Sequence, residues 1–428
     1  MSDRITWMHS GQVGAPQMGG VEGSNGQMLQ VLDACLINGF NTQTATTVSK
    51  TETTVKLTFG VSHGYVERQL LLIAGATDAK LNGKHRVIAV TENTVTIDAV
   101  GVGSITGTIT SKIAPLGFES IFGSTDPLKR AYRSKNVQTT RTVLYLDMSL
   151  PTSHGYNSTN PAKRAMVDMC ENMTTLGVQI NSYTSSFNDK PTVQNGKMFW
   201  YQARNNTKNG AVNAGTNLKW VLFGNGDYFY FLPAWQVHDL SATRLLQRDL
   251  FGFGDVKDLD GTSSYDCFWA GVSGTNDEQS ISYAANGGRI NGIPTSFNYS
   301  TDRAYSAGFY IKSSSGVGGL QQFSLVTSGV ISTSHSSNSG SAYSVQWIYT
   351  AFPNKSGSSL LSTPLYSMIK DTDYRLRSEM GRLRAIPQNL NNQQSLDLNV
   401  IEDVVLIAVS ANGIYNFNTG FLAVDTRD

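Results

Sequence analysis

Cysteine is scarce in this sequence. The 428 residues hold three, Cys35, Cys170 and Cys267. They lie far apart and outside any C-x-x-C pair, which argues against a disulfide framework or a zinc ribbon. Three buried small hydrophobes are the expectation. Charge is scarce too, at 15% of residues against about 25% in an average globular domain. Lys and Arg number 33 and Asp and Glu 32, a formal net charge of +1. No basic stripe of the kind a nucleic-acid backbone requires is present. So weak a charge gives little self-repulsion against close packing with neighbours. Long apolar runs are missing. QLLLIAGA (69–76) and VVLIAVSA (404–411) are strand-sized, short of the roughly 20 residues of a membrane span. The start lacks a basic stretch followed by an apolar run, so no secretory signal is expected. Heptads and G-X-Y triplets are absent as well, which excludes a fibre shaft.

What is present is glycine (41), tyrosine (18) and phenylalanine (18), with 40% hydrophobic residues and plentiful Ser, Thr and Asn. That mixture predicts short strands joined by turns. The expected fold is mainly β, with β-sandwich or barrel-like domains, a few short helices and an extended N-terminal arm. The length suggests two or three domains.

Residues 1–28, glycine-rich and polar, read as the arm, with Trp7 and Met8 as anchors. Leu29, Leu32, Leu36 and Ile37 have near-helical spacing and predict one short helix closed by Asn38-Gly39. Between 43 and 112, five short apolar runs separated by turn signals predict a small β-barrel or sandwich. The uneven texture of the opening resumes after it. The module is therefore read as an insertion into a main domain of 29–42 plus 113–428, divisible near 235–260. A strand is expected over 141–149. Pro161, the apolar residues Ala162, Ala165, Met166, Met169 and Met173, and Gly177 predict a helix over 161–177. Asn225-Gly226-Asp227 predicts a hairpin. Phe251-Gly252-Phe253-Gly254 predicts a kinked edge strand where backbones approach closely. Strands are expected at 402–409 and 420–425, with a turn at Asn412-Gly413. Long Ser/Gly/Asn loops are expected at 271–299 and 329–342.

GQVGAPQ (11–17), GSNGQMLQVLDACLINGF (23–40), HGYVERQLLLIAGATDAKLNGKHRVIAV (63–90) and GTITSKIAPLGFESIFGSTDPLKRAYRS (107–134) together resemble tail-associated virion proteins of tailed bacteriophages, of the minor-tail or baseplate type. WVLFGNGDYFYF (220–231) and FGFGDVKDL (251–259) share that texture. The likeness is best over 10–135 and patchy beyond. It implies a structural virion component, made in the host cytoplasm and soluble until it assembles. Copies of itself and other virion proteins would be its partners. It carries over no enzyme activity.

The residues offer little catalytic chemistry of their own. No dinucleotide or P-loop glycine pattern is present. Asp255, Asp258 and Asp260, followed by Gly261, could form an oxygen-rich calcium turn, but the EF-hand spacing is missing and a solvated turn explains them equally. The six histidines, His9, His63, His85, His154, His238 and His335, form no metal-ligand spacing. Glycan hydrolysis would need two carboxylates held about 5–10 Å apart. Glu119, Asp126, Asp227 and Glu379 are conceivable members, and nothing brackets a pair. No enzyme, cofactor or metal is expected.

The aromatics carry more. Trp7, the run Phe199-Trp200-Tyr201 and the run Tyr228-Phe229-Tyr230-Phe231 are candidate interface or packing aromatics. Consecutive strand residues face opposite sides, so both faces need a cover: a second sheet, another subunit or a sugar. Lys129, Arg130 and Arg133, and Arg375, Arg377, Arg382 and Arg384, are candidate basic contacts to acidic neighbours. The expected role is a structural protein of a tail or baseplate, whose arm becomes ordered on a neighbouring chain. The alternatives are a host-surface or glycan-binding tail fibre component, with an aromatic groove among the long loops, or a neck, collar or capsid-surface protein.

Overall fold

The computed structural model describes residues 4–19, 26–149, 164–182, 198–202, 217–234, 248, 251–257, 265–270 and 272–273, and from 306 onward the strands named below with residues 398–399 and 426–427. Strands predominate, and the described residues contain one short α-helix.

The chain opens with strand β1 (Thr6–His9). Helix α1 (Gln27–Asp33) runs on into a π-helical turn, Ala34–Asn38. Met28, Leu29, Val31, Leu32, Cys35 and Leu36 are its buried residues. Gly39 ends it at φ 70°. A Cβ there would sit 2.4 Å from the Ile113 carbonyl oxygen, so only glycine lets the chain turn so close to the neighbouring strand. The expected helix and its stop are both present.

Strands β2 (Phe40–Thr44), β3 (Thr47–Lys50), β4 (Thr54–Thr58), β5 (Leu70–Ala74), β6 (Gly83–Val90), β7 (Thr94–Asp98) and β8 (Thr110–Ile113) form one sheet in the order β2-β8-β5-β6-β7-β4-β3. Its two end strands are consecutive in the chain, separated by Ala45 and Thr46. The segment 40–50 pairs first with β8 and then with β4. Strand β6 is shared the same way, pairing with β5 through its first half and β7 through its second. Two sheets joined by two bent strands make a barrel. Alternation on β4 and β7 sends Val55, Leu57, Val95 and Ile97 inward to meet Ile73 and Val87. Phe40 pairs with Ile113, so the chain enters and leaves the barrel side by side, as an insertion requires.

The next stretch contains β9 (Phe118–Phe122), β10 (Lys129–Ser134), β11 (Val143–Asp147), β12 (Arg164–Thr175), β13 (Val178–Ser182), β14 (Met198–Tyr201), β15 (Trp220–Gly224), β16 (Tyr228–Pro233), β17 (Phe251–Lys257), β18 (Tyr265–Ala270) and β19 (Val272–Ser273). They make two antiparallel sheets, β1-β15-β16-β17-β18 and β19-β14-β12-β11-β10-β9, with β13 added to β12. Aromatic rings join the sheets. Trp200 stacks on Phe251 with centroids 5.4 Å apart and meets Phe229 edge-on at 5.9 Å. Phe118 meets Phe229 edge-on at 5.4 Å. Each fully buried ring contributes roughly 1.5–3 kcal/mol relative to exposure, so this layer is a principal source of the sandwich's stability. The loop at Asn225-Gly226-Asp227 closes the expected hairpin, with Asn225 N–H donating to the Tyr228 carbonyl at 2.9 Å.

Several expectations are corrected here. Residues 164–175 form β12, not a helix. Ala165, Met166, Val167, Asp168, Met169 and Cys170 are all buried, because β12 lies between β11 on one side and β14 and β13 on the other. A short run buried on both faces shows apolar residues at helical spacing and at strand spacing alike. Strand β17 is interior, between β16 and β18, rather than an edge. The expected close approach is real: a Cβ on Gly254 would lie 2.4 Å from Tyr228 Cα. Strands β16 and β17 pair with each other, so a domain boundary near 235–260 would divide one sheet. The leading segment is not a loose arm. Strand β1 pairs with β15, and Trp7, Met8 and Met18 are buried in this same chain.

A last sheet holds β20 (Ser306–Lys312), β21 (Leu320–Ser324), β22 (Gly329–Ser332), β23 (Val345–Gln346), β24 (Thr363–Ile369), β25 (Leu376–Ile386), β26 (Val400–Ile401), β27 (Val404–Ser410) and β28 (Thr419–Asp425). Its order is β23-β22-β21-β20-β24-β25-β28-β27-β26. The two C-terminal strands fall where expected and pair antiparallel. Asn412-Gly413 lies outside the described residues, as do most of 271–299 and all of 333–342, while Gly329–Ser332, expected to open a long loop, instead form β22 paired with β21.

Candidate functional site

Tyr228, Phe229, Tyr230 and Phe231 alternate across β16, and all four are buried. Phe229 and Phe231 face the inter-sheet core. Tyr230 lies on the opposite face, beside Phe223 with centroids 5.0 Å apart. Both faces are therefore covered within the chain, and of the open alternatives interior packing holds. Trp7 is buried and stacked on His9. Trp200 is in the core. Phe199 and Tyr201 are placed on β14 by their backbone, and their side chains lie outside the described residues.

The first basic group is likewise engaged inside the chain. Arg130 forks onto Asp33, with Nε 3.0 Å from Oδ1 and Nη2 2.8 Å from Oδ2. The Tyr132 hydroxyl donates to the same carboxylate at 2.8 Å. This ties the end of α1 to β10, and burial with the Asp33 charge beside it raises the Tyr132 phenol well above its ordinary range. Lys129 pairs with Asp147 at 3.2 Å. Arg133 pairs with Glu119 at 2.8 Å, which Arg141 shares at 2.7 Å. In the second group, Arg384 approaches Asp425 at 3.8 Å. Arg382 is half-buried at φ 60°, within an irregular stretch of β25. Arg375 and the Arg377 side chain lie outside the described residues. The anticipated acidic neighbours are, where described, residues of this chain.

The conceivable acids are separately occupied. Glu119 holds the two arginines. Asp126 accepts the Leu128 and Lys129 N–H groups at 2.8 and 3.0 Å. Asp227 accepts from the Asn136 amide at 2.7 Å. The Glu379 side chain is outside the described residues. Asp255 is buried and accepts the Thr140 N–H at 3.2 Å and its hydroxyl. Asp258 and Asp260 are outside. No group of His, Cys, Asp and Glu among the described residues could hold a metal ion. No described helix is long and apolar enough to cross a membrane. Gly60-Val61-Ser62-His63-Gly64 fits the letters of a nucleophile elbow, but it lies in irregular chain between β4 and β5. Ser62 is exposed, and His63 Nδ1 accepts the Tyr65 N–H at 2.9 Å. The strand–turn–helix setting an elbow needs is missing.

Residues that sequence reading passed over do the bracing. The Gln202 amide oxygen takes the Met28 N–H at 3.0 Å, capping α1 from across the fold, and its NH2 donates to the Gly19 carbonyl at 2.8 Å. Arg86 is buried and donates to the Ile5 carbonyl at 2.7 Å. Arg4 pairs with Asp98 at 2.6 Å. Trp220 Nε1 donates to the Pro16 carbonyl at 3.1 Å. The leading segment is thus fastened to the barrel at one end and the sandwich at the other. No local motif announces contacts between residues 81 to 204 positions apart.

The surface feature that stands out is the β12–β13 hairpin. Val178 is 50% and Ile180 39% exposed. They share one face of β13, which pairs with β12 and, among the described residues, with no second strand. The strand VQINS carries neither charge nor proline, the usual protections of an edge. Comparisons with family models, curated proteins and solved structures yield no match to this chain.

Proposed function

We propose that the chain is a structural protein of a tailed-phage virion, assembling with copies of itself and other virion proteins in the tail or baseplate region. One observation carries the structural part of this reading. The buried polar side chains, Gln202, Arg86 and the Asp33–Arg130–Tyr132 group, serve as long-range braces between barrel, leading segment, helix and sandwich. Such cross-bracing suits a scaffold that must keep its shape under load from its neighbours. The unprotected edge at β13 and the near-zero net charge suit close packing against other chains. The address rests on the sequence resemblance over 10–135.

The test is peptide mapping of density-gradient-purified virions, followed by a map of the intact particle. The expected result is this chain at a fixed ratio to the other virion proteins, in symmetric copies about the tail axis. Infective particles that lack it would end the reading. Density at the neck or capsid surface would change the address alone.

A further inference from the structure

Two histidines of the barrel sit in opposite hydrogen-bonding environments. The His63 ring accepts at Nδ1 from the Tyr65 N–H at 2.9 Å, and its Nε2 faces the Thr91 carbonyl at 2.8 Å. One donor and one acceptor are what the neutral ring provides. His85 differs. Its Nδ1 lies 2.7 Å from the Asp98 carbonyl oxygen and its Nε2 3.0 Å from the Leu81 carbonyl oxygen. Backbone carbonyls only accept, so both contacts are hydrogen bonds when both ring nitrogens carry a proton. In the neutral ring one lone pair would face a carbonyl lone pair in a site where the side chain is 11% exposed.

The surrounding charges accommodate a cation. Asp98 Oδ1 lies 3.9 Å from Nδ1, and Asp98 also takes the Arg86 N–H and the Arg4 guanidinium. The other cations near this end of the barrel are committed elsewhere. Arg86 points at the Ile5 and Arg68 carbonyls, Lys84 at the Leu116 carbonyl and Lys80 at the Gly101 carbonyl. Asp78 accepts the Lys80 and Gly103 N–H groups. Asp98 is the carboxylate that faces the ring.

We propose that His85 is a proton-dependent latch, which in its doubly protonated form ties the 76–82 loop to the end of β7. Losing the proton removes one of the two carbonyl bonds and the ring's attraction to Asp98. The loop then opens more readily, while the barrel core and the Arg4–Asp98 pair stay closed.

Two measurements on the full chain test this. Side-chain nitrogen NMR of histidine-labelled protein, followed across a pH series, should show both His85 nitrogens protonated wherever the 76–82 loop is protected from exchange and one bare wherever the loop opens. The His85→Gln variant assigns the His85 signals. A bare nitrogen on His85 while the loop remains protected would overturn the proposal. Amide exchange, corrected for its intrinsic pH dependence, should show the 76–82 loop opening roughly tenfold or more above the acid-side level, the scale of one lost charge-assisted bond, with residues 4–7 unchanged. His85→Gln should show the open level at every pH. The same pH response in wild type and variant would equally overturn it.

Discussion

Asp33 shows how much one side chain can hold here. It is the common acceptor for Arg130 and Tyr132, and the Arg130 side chain is 6% exposed. Asp33→Ala leaves a nearly buried guanidinium unpaired. Breaking one partner of a buried pair costs about 3–5 kcal/mol, and urea unfolding should read a loss in that range. Asp33→Asn, which still accepts, should lose less. A loss below about 1 kcal/mol, the worth of an exposed pair, would mean the network contributes little. The glycines allow a cleaner comparison. Gly83 and Gly254 share φ 136°, but a Cβ on Gly83 meets nothing within 4 Å, whereas on Gly254 it meets the Asp227 oxygen at 2.3 Å. Gly83→Ala should therefore cost only backbone strain, about 1–3 kcal/mol. Gly254→Ala should add overpacking of about 1–3 kcal/mol more. Equal losses would show that the close approach at β17 relaxes freely. The doubled FGFG phrase made that approach legible in advance. Asp33 was not legible, because its partners lie nearly a hundred positions away and an acid near a helix end looks like any solvated one.

At the scale of elements, local chemistry spoke clearly wherever it decided the structure. Gly39 ends the helix, Asn225-Gly226 turns the hairpin, and alternation on β4 and β7 faces the barrel core. It misled where the surroundings decided. The sequence around β12 has the proline, the apolar spacing and the terminal glycine of a helix, yet Arg164–Thr175 is a strand because partners on both sides satisfy its backbone. The leading segment reads as a polar tail, yet its anchors Trp7 and Met8 are buried within this chain. Trp7→Ala should accordingly cost about 3–5 kcal/mol of folding stability in the isolated protein. A tail ordered only on a neighbour would unfold with an unchanged midpoint. Strand β13 makes the opposite prediction. Val178 and Ile180 are exposed, so Ile180→Lys should shift stability by no more than about 0.5 kcal/mol. A lysine on an open edge opposes strand addition, so self-association or incorporation into particles should fall in the same variant. Unchanged assembly would exclude β13 from the contact surface.

The whole molecule has an alkaline weakness written into its buried phenols and thiols. Burial is the leading cause of raised proton affinity at Tyr65, Tyr132, Tyr145 and Tyr230 and at Cys35, and it pushes the Cys170 thiol up to about 12. Each is an acid that stays protonated in the fold while its unfolded counterpart ionises at about 10 for tyrosine and about 8.5 for cysteine. Below those values both states hold the proton and the full stability is present. Above them the unfolded chain loses protons the fold retains, so stability falls as pH rises toward the folded values. Lys84 acts in the opposite sense. Burial of its amine lowers it to about 8, so the fold gains between about 8 and the ordinary lysine value near 10.4. That is one group with an exposed stem, set against four phenols and two thiols. The net expectation is a urea midpoint that declines steeply above about pH 10. Tyrosinate absorbance should rise in two stages, the exposed phenols first and the buried ones together with unfolding. A single smooth phenol titration with the fold intact would show that these side chains reach solvent without opening the sandwich, and the two-faced burial of β16 would then lose its energetic meaning.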